Sequence, residues 1–169
     1  MMKYFSIALI FSSVLFLSSC QKCQDQDCQN GSTCSIENGT ATCECTEFYS
    51  GERCEIETRS NYYGTYTGTY RERNDDNGST SMLNPTFTVE RYLSGASRFN
   101  IVMDSGNSSE VTFKCRLTDD TNFIIEGFSN SSYNIDGTGT ISETYFTLSG
   151  TASTISSNST STISINATR

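Results

Sequence analysis

Residues 111–117 read Val-Thr-Phe-Lys-Cys-Arg-Leu. Val111, Phe113, Cys115 and Leu117 alternate with Thr112, Lys114 and Arg116, and a period of two with one apolar side predicts a half-buried β-strand. The pattern continues outward in both directions. Upstream, Phe99, Ile101 and Met103 form one inward set, and Phe87 and Val89 alternate with Thr86, Thr88 and Glu90. Downstream, further strands are expected around 123–126, 139–141, 145–149 and 162–167. Nearer the N-terminus, Tyr62, Gly64, Tyr66, Gly68 and Tyr70 share one face, with Tyr63, Thr65, Thr67 and Thr69 on the other. The turn-rich Asn74-Asp75-Asp76-Asn77-Gly78 follows. No stretch after residue 60 has helical periodicity longer than a turn. About eight short strands with hairpin-length connections predict an all-β domain over 61–169, an antiparallel β-barrel or β-sandwich.

Composition narrows the chemistry. The 169 residues contain no His and no Trp, which excludes His-based acid/base catalysis and His-ligated metal sites. Lys+Arg is 11 against Asp+Glu 19, a net charge of −8, so the chain has no basic surplus with which to bind nucleic acid or an anionic lipid surface. Eight Cys in so short a chain imply an oxidising compartment.

Six of the eight are spaced Cys23-x4-Cys28-x5-Cys34-x8-Cys43-x-Cys45-x8-Cys54. Six cysteines permit 15 connectivities, and spacing alone does not choose among them. Together with Asn30-Gly31 before Cys34 and Tyr49-Ser50-Gly51-Glu52-Arg53-Cys54 at the end, the series resembles the epidermal-growth-factor-like (EGF-like) domain over residues 23–54. That resemblance implies the pairs Cys23–Cys34, Cys28–Cys43 and Cys45–Cys54. A module this small buries too little apolar surface to offset its chain entropy, so it needs the bridges to fold. A zinc site is disfavoured by the even count and the single-residue gap between Cys43 and Cys45. Calcium-binding relatives carry an acidic cluster before the first Cys and an Asp/Asn after the third; here Gln21-Lys22 precedes Cys23 and Ser35-Ile36-Glu37 follows Cys34, so calcium is not expected. Tyr49, Gly51 and Arg53 are similar to the receptor-contacting end of growth-factor hormones, although the gaps are shorter and Phe48 stands where Gly is usual. Thr33 matches an O-fucose acceptor pattern, relevant only in an animal host.

The N-terminus, Met1-Met2-Lys3 and then an apolar run from position 7 to 17, has the form of a secretory signal and is too short for a permanent bilayer span. Leu17-Ser18-Ser19-Cys20 resembles the lipobox of bacterial lipoproteins. The resemblance implies a signal peptide over 1–19, acylation of Cys20, a short tether over 20–22 and attachment to a membrane by two or three acyl chains. Gln21-Lys22 followed by Asp25 and Asp27 is similar to the surface-export signal of Bacteroidota lipoproteins, which points to the cell outer membrane. The alternative is an ordinary signal peptide followed by a chance Cys.

Residues 55–60 read as a polar linker. Beyond them, Tyr63-Gly64-Thr65-Tyr66-Thr67-Gly68 and Asp136-Gly137-Thr138-Gly139-Thr140-Ile141-Ser142 resemble the small lipocalin-like (calycin-like) β-domains of such lipoproteins. Cys115 is expected to be a buried thiol; a catalytic role needs a neighbouring base, and pairing with Cys20 arises only if Cys20 is not lipidated. Tyr62, Tyr66 and Tyr70 stack on a sugar ring if they face solvent, and otherwise fill a barrel interior. Asp75-Asp76-Asn77-Gly78 and Asp119-Asp120-Thr121-Asn122 are acidic turns without ligand spacing. Seven Asn-x-Ser/Thr sequons, at Asn30, Asn38, Asn77, Asn107, Asn130, Asn158 and Asn166, matter only in a eukaryote.

These readings lead to a lipid-anchored envelope protein with no chemistry of its own and no cofactor or metal. Its expected partners are the membrane, through the lipid, and a protein, glycan or small apolar ligand. The alternatives are a secreted eukaryotic glycoprotein that uses its EGF-like unit for receptor or matrix contact, and a glycan-acting hydrolase with two carboxylates in one cleft.

Overall fold

The computed structural model describes residues 23, 25–92, 95–106, 110–128 and 132–169. The expected signal peptide over 1–19, Cys20 and the expected tether over 20–22 lie outside them. The chain divides into two compact units, Met1–Glu57 and Thr58–Arg169.

The first unit is built from turns and bridges. Strands β1 (Thr33–Glu37) and β2 (Thr40–Glu44) form an antiparallel hairpin, and β3 (Tyr49–Ser50) pairs with β4 (Ile56–Glu57). Asn38 and Gly39 occupy the two-residue loop between β1 and β2 with φ of 50° and 80°, the left-handed pair that a tight hairpin turn of matching twist requires. Disulfides join Cys23–Cys34, Cys28–Cys43 and Cys45–Cys54, the pairing that the resemblance implies. Phe48 sits at φ 66°, which explains why glycine suits that position better.

The second unit is a closed eight-stranded antiparallel β-barrel. Its strands are β5 (Gly64–Asn74), β6 (Thr80–Leu83), β7 (Thr86–Arg91), β8 (Arg98–Asp104), β9 (Glu110–Leu117), β10 (Asn122–Phe128), β11 (Tyr133–Ile141), β12 (Tyr145–Thr154) and β13 (Thr160–Thr168). From β7 to β13 each strand pairs with the next, and β13 returns to pair with β5, which closes the sheet and rules out a sandwich. β6 and β7 are one stave in two pieces. Tyr70 lies opposite Leu83 and Thr67 opposite Thr86 in unbroken register, and the intervening Pro85 has no N–H to give to the ladder.

Alternation sends one side of every strand inward. Phe87, Phe99, Phe113, Phe123 and Phe146 are almost fully buried, and Tyr66, Phe87 and Phe146 pack edge to face at 5.3–5.4 Å between centroids. Glycine makes room for these rings: a Cβ on Gly139 would collide with the Phe123 ring and the Thr147 carbonyl.

One irregularity reorients the pattern. Ile125 lies opposite Cys115 and Gly127 opposite Lys114, so Glu126 is the extra residue of a β-bulge. Before the bulge Phe123 and Ile125 point inward; after it Phe128 does, opposite Phe113.

Residues 55–60, expected as a polar linker, contain the boundary between the two units and carry regular structure on both sides of it. Ile56 and Glu57 belong to β4, and Thr58–Tyr62 forms a 3-10 helix at one end of the barrel. The cause is Arg59, whose side chain is buried and donates to the carbonyl of Tyr92 at 2.9 Å and to that of Arg98. Polar residues that read as a spacer satisfy loop carbonyls instead.

Candidate functional site

The two ends of the barrel differ. At the end reached by the 3-10 helix, the Tyr62 hydroxyl donates to the Asp120 carbonyl. The Tyr66 hydroxyl donates to the Tyr62 carbonyl at 2.8 Å, with the Ser142 carbonyl 3.2 Å away. Arg169 donates to the Tyr63 carbonyl and places its guanidinium 5.2 Å from the centre of the Tyr66 ring. Tyr62 and Tyr66 are 5% and 0% exposed, and burial raises both phenol pKa values. These two rings seal the barrel and present no face to a sugar.

Among the described residues, the opposite end is open. Tyr70 and Glu72 follow Tyr66 on the inward side of β5 and reach a cavity of about 280 Å3. Met103 from β8, Val111 and Phe113 from β9, Phe128 from β10, Tyr133 and Ile135 from β11 and Ala152 from β12 complete its wall, with Leu83 from β6 and Ser105. The rings of Phe113 and Phe128 lie 5.1 Å apart, tilted by 52°. Leu83 and Tyr133 keep 38% and 39% of their surface exposed, so the apolar wall extends to the rim. The Tyr70 hydroxyl donates to Glu72 Oε2 at 3.2 Å. Burial, and after it the charge of Glu72, pushes the Tyr70 phenol up, which keeps it a donor.

Of the three expected aromatics, Tyr70 is the one at this cavity. Glu72 was within reach of sequence reasoning, one step further along the same alternation. Phe128 was not, because regular alternation from Phe123 and Ile125 turns it outward and only the bulge brings it in.

Two other depressions lie on the outer wall. One of about 510 Å3 spans the faces of β10 to β13 and presents Thr138, Thr140, Thr147, Ser149, Ser164 and Asn166, with no titratable group. The other, about 220 Å3, holds Arg98, Lys114 and Glu126. There the bulge places Glu126 between Arg98 and Arg116, whose Nε atoms lie 2.7 and 2.5 Å from its two oxygens, and the Arg98 hydrogen bond leads in lowering the Glu126 pKa. Among the described residues, none of these three clefts holds two carboxylates.

Cys115 is 1% exposed, and burial pushes its thiol well above the ordinary range. The acidic turns are hydrogen-bonded as turns. Asp119 Oδ1 accepts from the Thr121 and Asn122 amides at 2.8 Å each, and these and the Asn122 side chain hold its carboxyl down at about 2. Asp75 and Asp76 accept from the Thr162 and Ser159 hydroxyls at 3.1 and 2.6 Å. Among the described residues no three His, Cys, Asp or Glu side chains group as metal ligands, and no helix is long and apolar enough to cross a membrane.

No protein-family model matches this chain, and no curated protein matches it. Among solved structures it is similar to the crystal structure of a DUF3598-family protein of unknown function from Nostoc punctiforme. The TM-score is 0.48 at 9% identity, covering 66% of this chain and 48% of that one, so this chain spans about half of that protein's length.

Proposed function

We propose that this protein is a non-catalytic, lipid-anchored protein of the cell envelope whose barrel binds a small, largely apolar ligand. The observation that carries the binding role is the contrast between the barrel's two ends. One is sealed by buried phenols and a buried guanidinium, and the other opens into a cavity with an apolar wall. Its volume, about 280 Å3, lies just below the usual range of ligand sites, about 300 to 1,000 Å3, and suits a small ligand. A non-catalytic role is supported by the scattering of carboxylates among separate clefts and by the deeply buried thiol of Cys115. The lipobox resemblance at Cys20 supports the anchor, and the bacterial surface signal supports the outer membrane. The disulfide unit, read as EGF-like, follows the anchor in the chain and precedes the binding barrel.

Intact mass of protein purified from its native membrane, before and after reduction and alkylation, tests the anchor. The expected species begins at Cys20, carries acyl mass, and holds three disulfides and the free Cys115 thiol. An unacylated chain with hexose on its Asn sequons would replace the lipoprotein with the secreted glycoprotein. Titration with the neutral fluorophore N-phenyl-1-naphthylamine tests the cavity: saturable enhancement is expected, and its loss in Phe128→Asp places the dye at the open end.

A further inference from the structure

We infer that the open end of the barrel takes an organic ammonium ion, with the Glu72 carboxylate and the surrounding aromatic rings holding its charge and the apolar wall holding its body. This rests on the binding role proposed above and names the ligand class. Among the described residues, Glu72 is the one charged side chain in the cavity wall. Its partner there is the neutral Tyr70 hydroxyl, at 3.2 Å, and no Lys or Arg among the described residues pairs with it. Arg71 and Arg73, its neighbours on β5, have the opposite parity and stand exposed on the outer face. An inward carboxylate without a counter-cation favours a ligand that supplies one.

The same wall carries Tyr70, Phe113, Phe128 and Tyr133. Aromatic faces are negative and attract ammonium groups, most strongly where water is displaced. The net charge of −8 adds a long-range attraction for cations. Two other ligand classes fit less well. A sugar has hydroxyls on every side, whereas Met103, Val111, Ile135 and Ala152 offer them no partner. A hard metal ion needs six or more oxygens, and the wall has one carboxylate. The volume limits the body to a compact ring system or a short alkyl chain.

Three probes that share a ring and differ in their head group test this on the mature, disulfide-bonded chain by calorimetry: phenethylamine, 2-phenylethanol and 3-phenylpropionate. The amine is expected to bind about tenfold more tightly than the alcohol, with the carboxylate weakest. In Glu72→Gln, with its melting temperature checked against the parent, the amine loses most of its margin over the alcohol and keeps only what the rings supply. Equal affinity for amine and alcohol in the parent, or an amine preference undiminished in Glu72→Gln, would overturn the assignment and leave the cavity's binding role standing. If none of the three binds and the neutral fluorophore does not either, both fall together.

Discussion

In the disulfide unit, Cys54 is the one buried apolar residue among those described, whereas the barrel holds every other buried hydrophobic side chain. The two units therefore solve the same entropy problem by different means. Three bridges over sequence separations of 9 to 15 restrict the unfolded state of the first, each worth about 3 kcal/mol in the chain-entropy model. The second draws its stability from interleaved rings inside a closed sheet. A covalent frame suits a unit too small for a core, and a closed sheet has room for a cavity at one end.

Reduction tests this contrast most severely. With the three bridges reduced, hydrogen exchange resolved by mass spectrometry is expected to show protection lost across residues 25–57 and retained in the barrel strands. Loss of barrel protection on reduction would mean that the barrel does not stand on its core alone. Phe146→Ala is the converse. It removes the ring shared by Tyr66 and Phe87, so the barrel should lose about 3–5 kcal/mol in a denaturant titration while protection of the disulfide unit is unchanged. A loss below about 1 kcal/mol would mean that the core closes over the gap.

The smallest effect concerns acid. The Thr121 amide, the Asn122 side chain and the Asn122 amide lower the folded-state pKa of Asp119 from 3.8 to about 2. A depressed carboxyl contributes stability that is fully present above its unfolded value and is lost as pH falls through the folded value. The barrel of the parent protein should therefore lose melting temperature relative to Asp119→Asn between about pH 4 and pH 2. Parallel curves for the two proteins would remove Asp119 from the barrel's acid response.

Much of the barrel was legible in the chain. The alternation at Val111, Phe113, Cys115 and Leu117 identified the inward face correctly, and all four point into the barrel. The Tyr66 and Tyr70 ladder was legible in the same way, but whether it faced a ligand was not. The two rings share one face of one strand, yet one seals the barrel and the other lines its mouth. Arg59 was misread for a related reason. A charged residue in a polar run looks like solvent-exposed spacer until the loop carbonyls that accept its hydrogen bonds are brought beside it.

By itself, then, the sequence determined the class of each unit: alternation is a local property, and six cysteines in 32 residues demand covalent help. Tertiary structure alone decided that the sheet closes, because the pairing of β13 with β5 joins segments about ninety residues apart that carry no mark of each other. It also decided the composition of the cavity. The bulge at Glu126 shifts the strand by one residue, and with a side-chain period of two that single shift carries Phe128 from the outer wall to the inside.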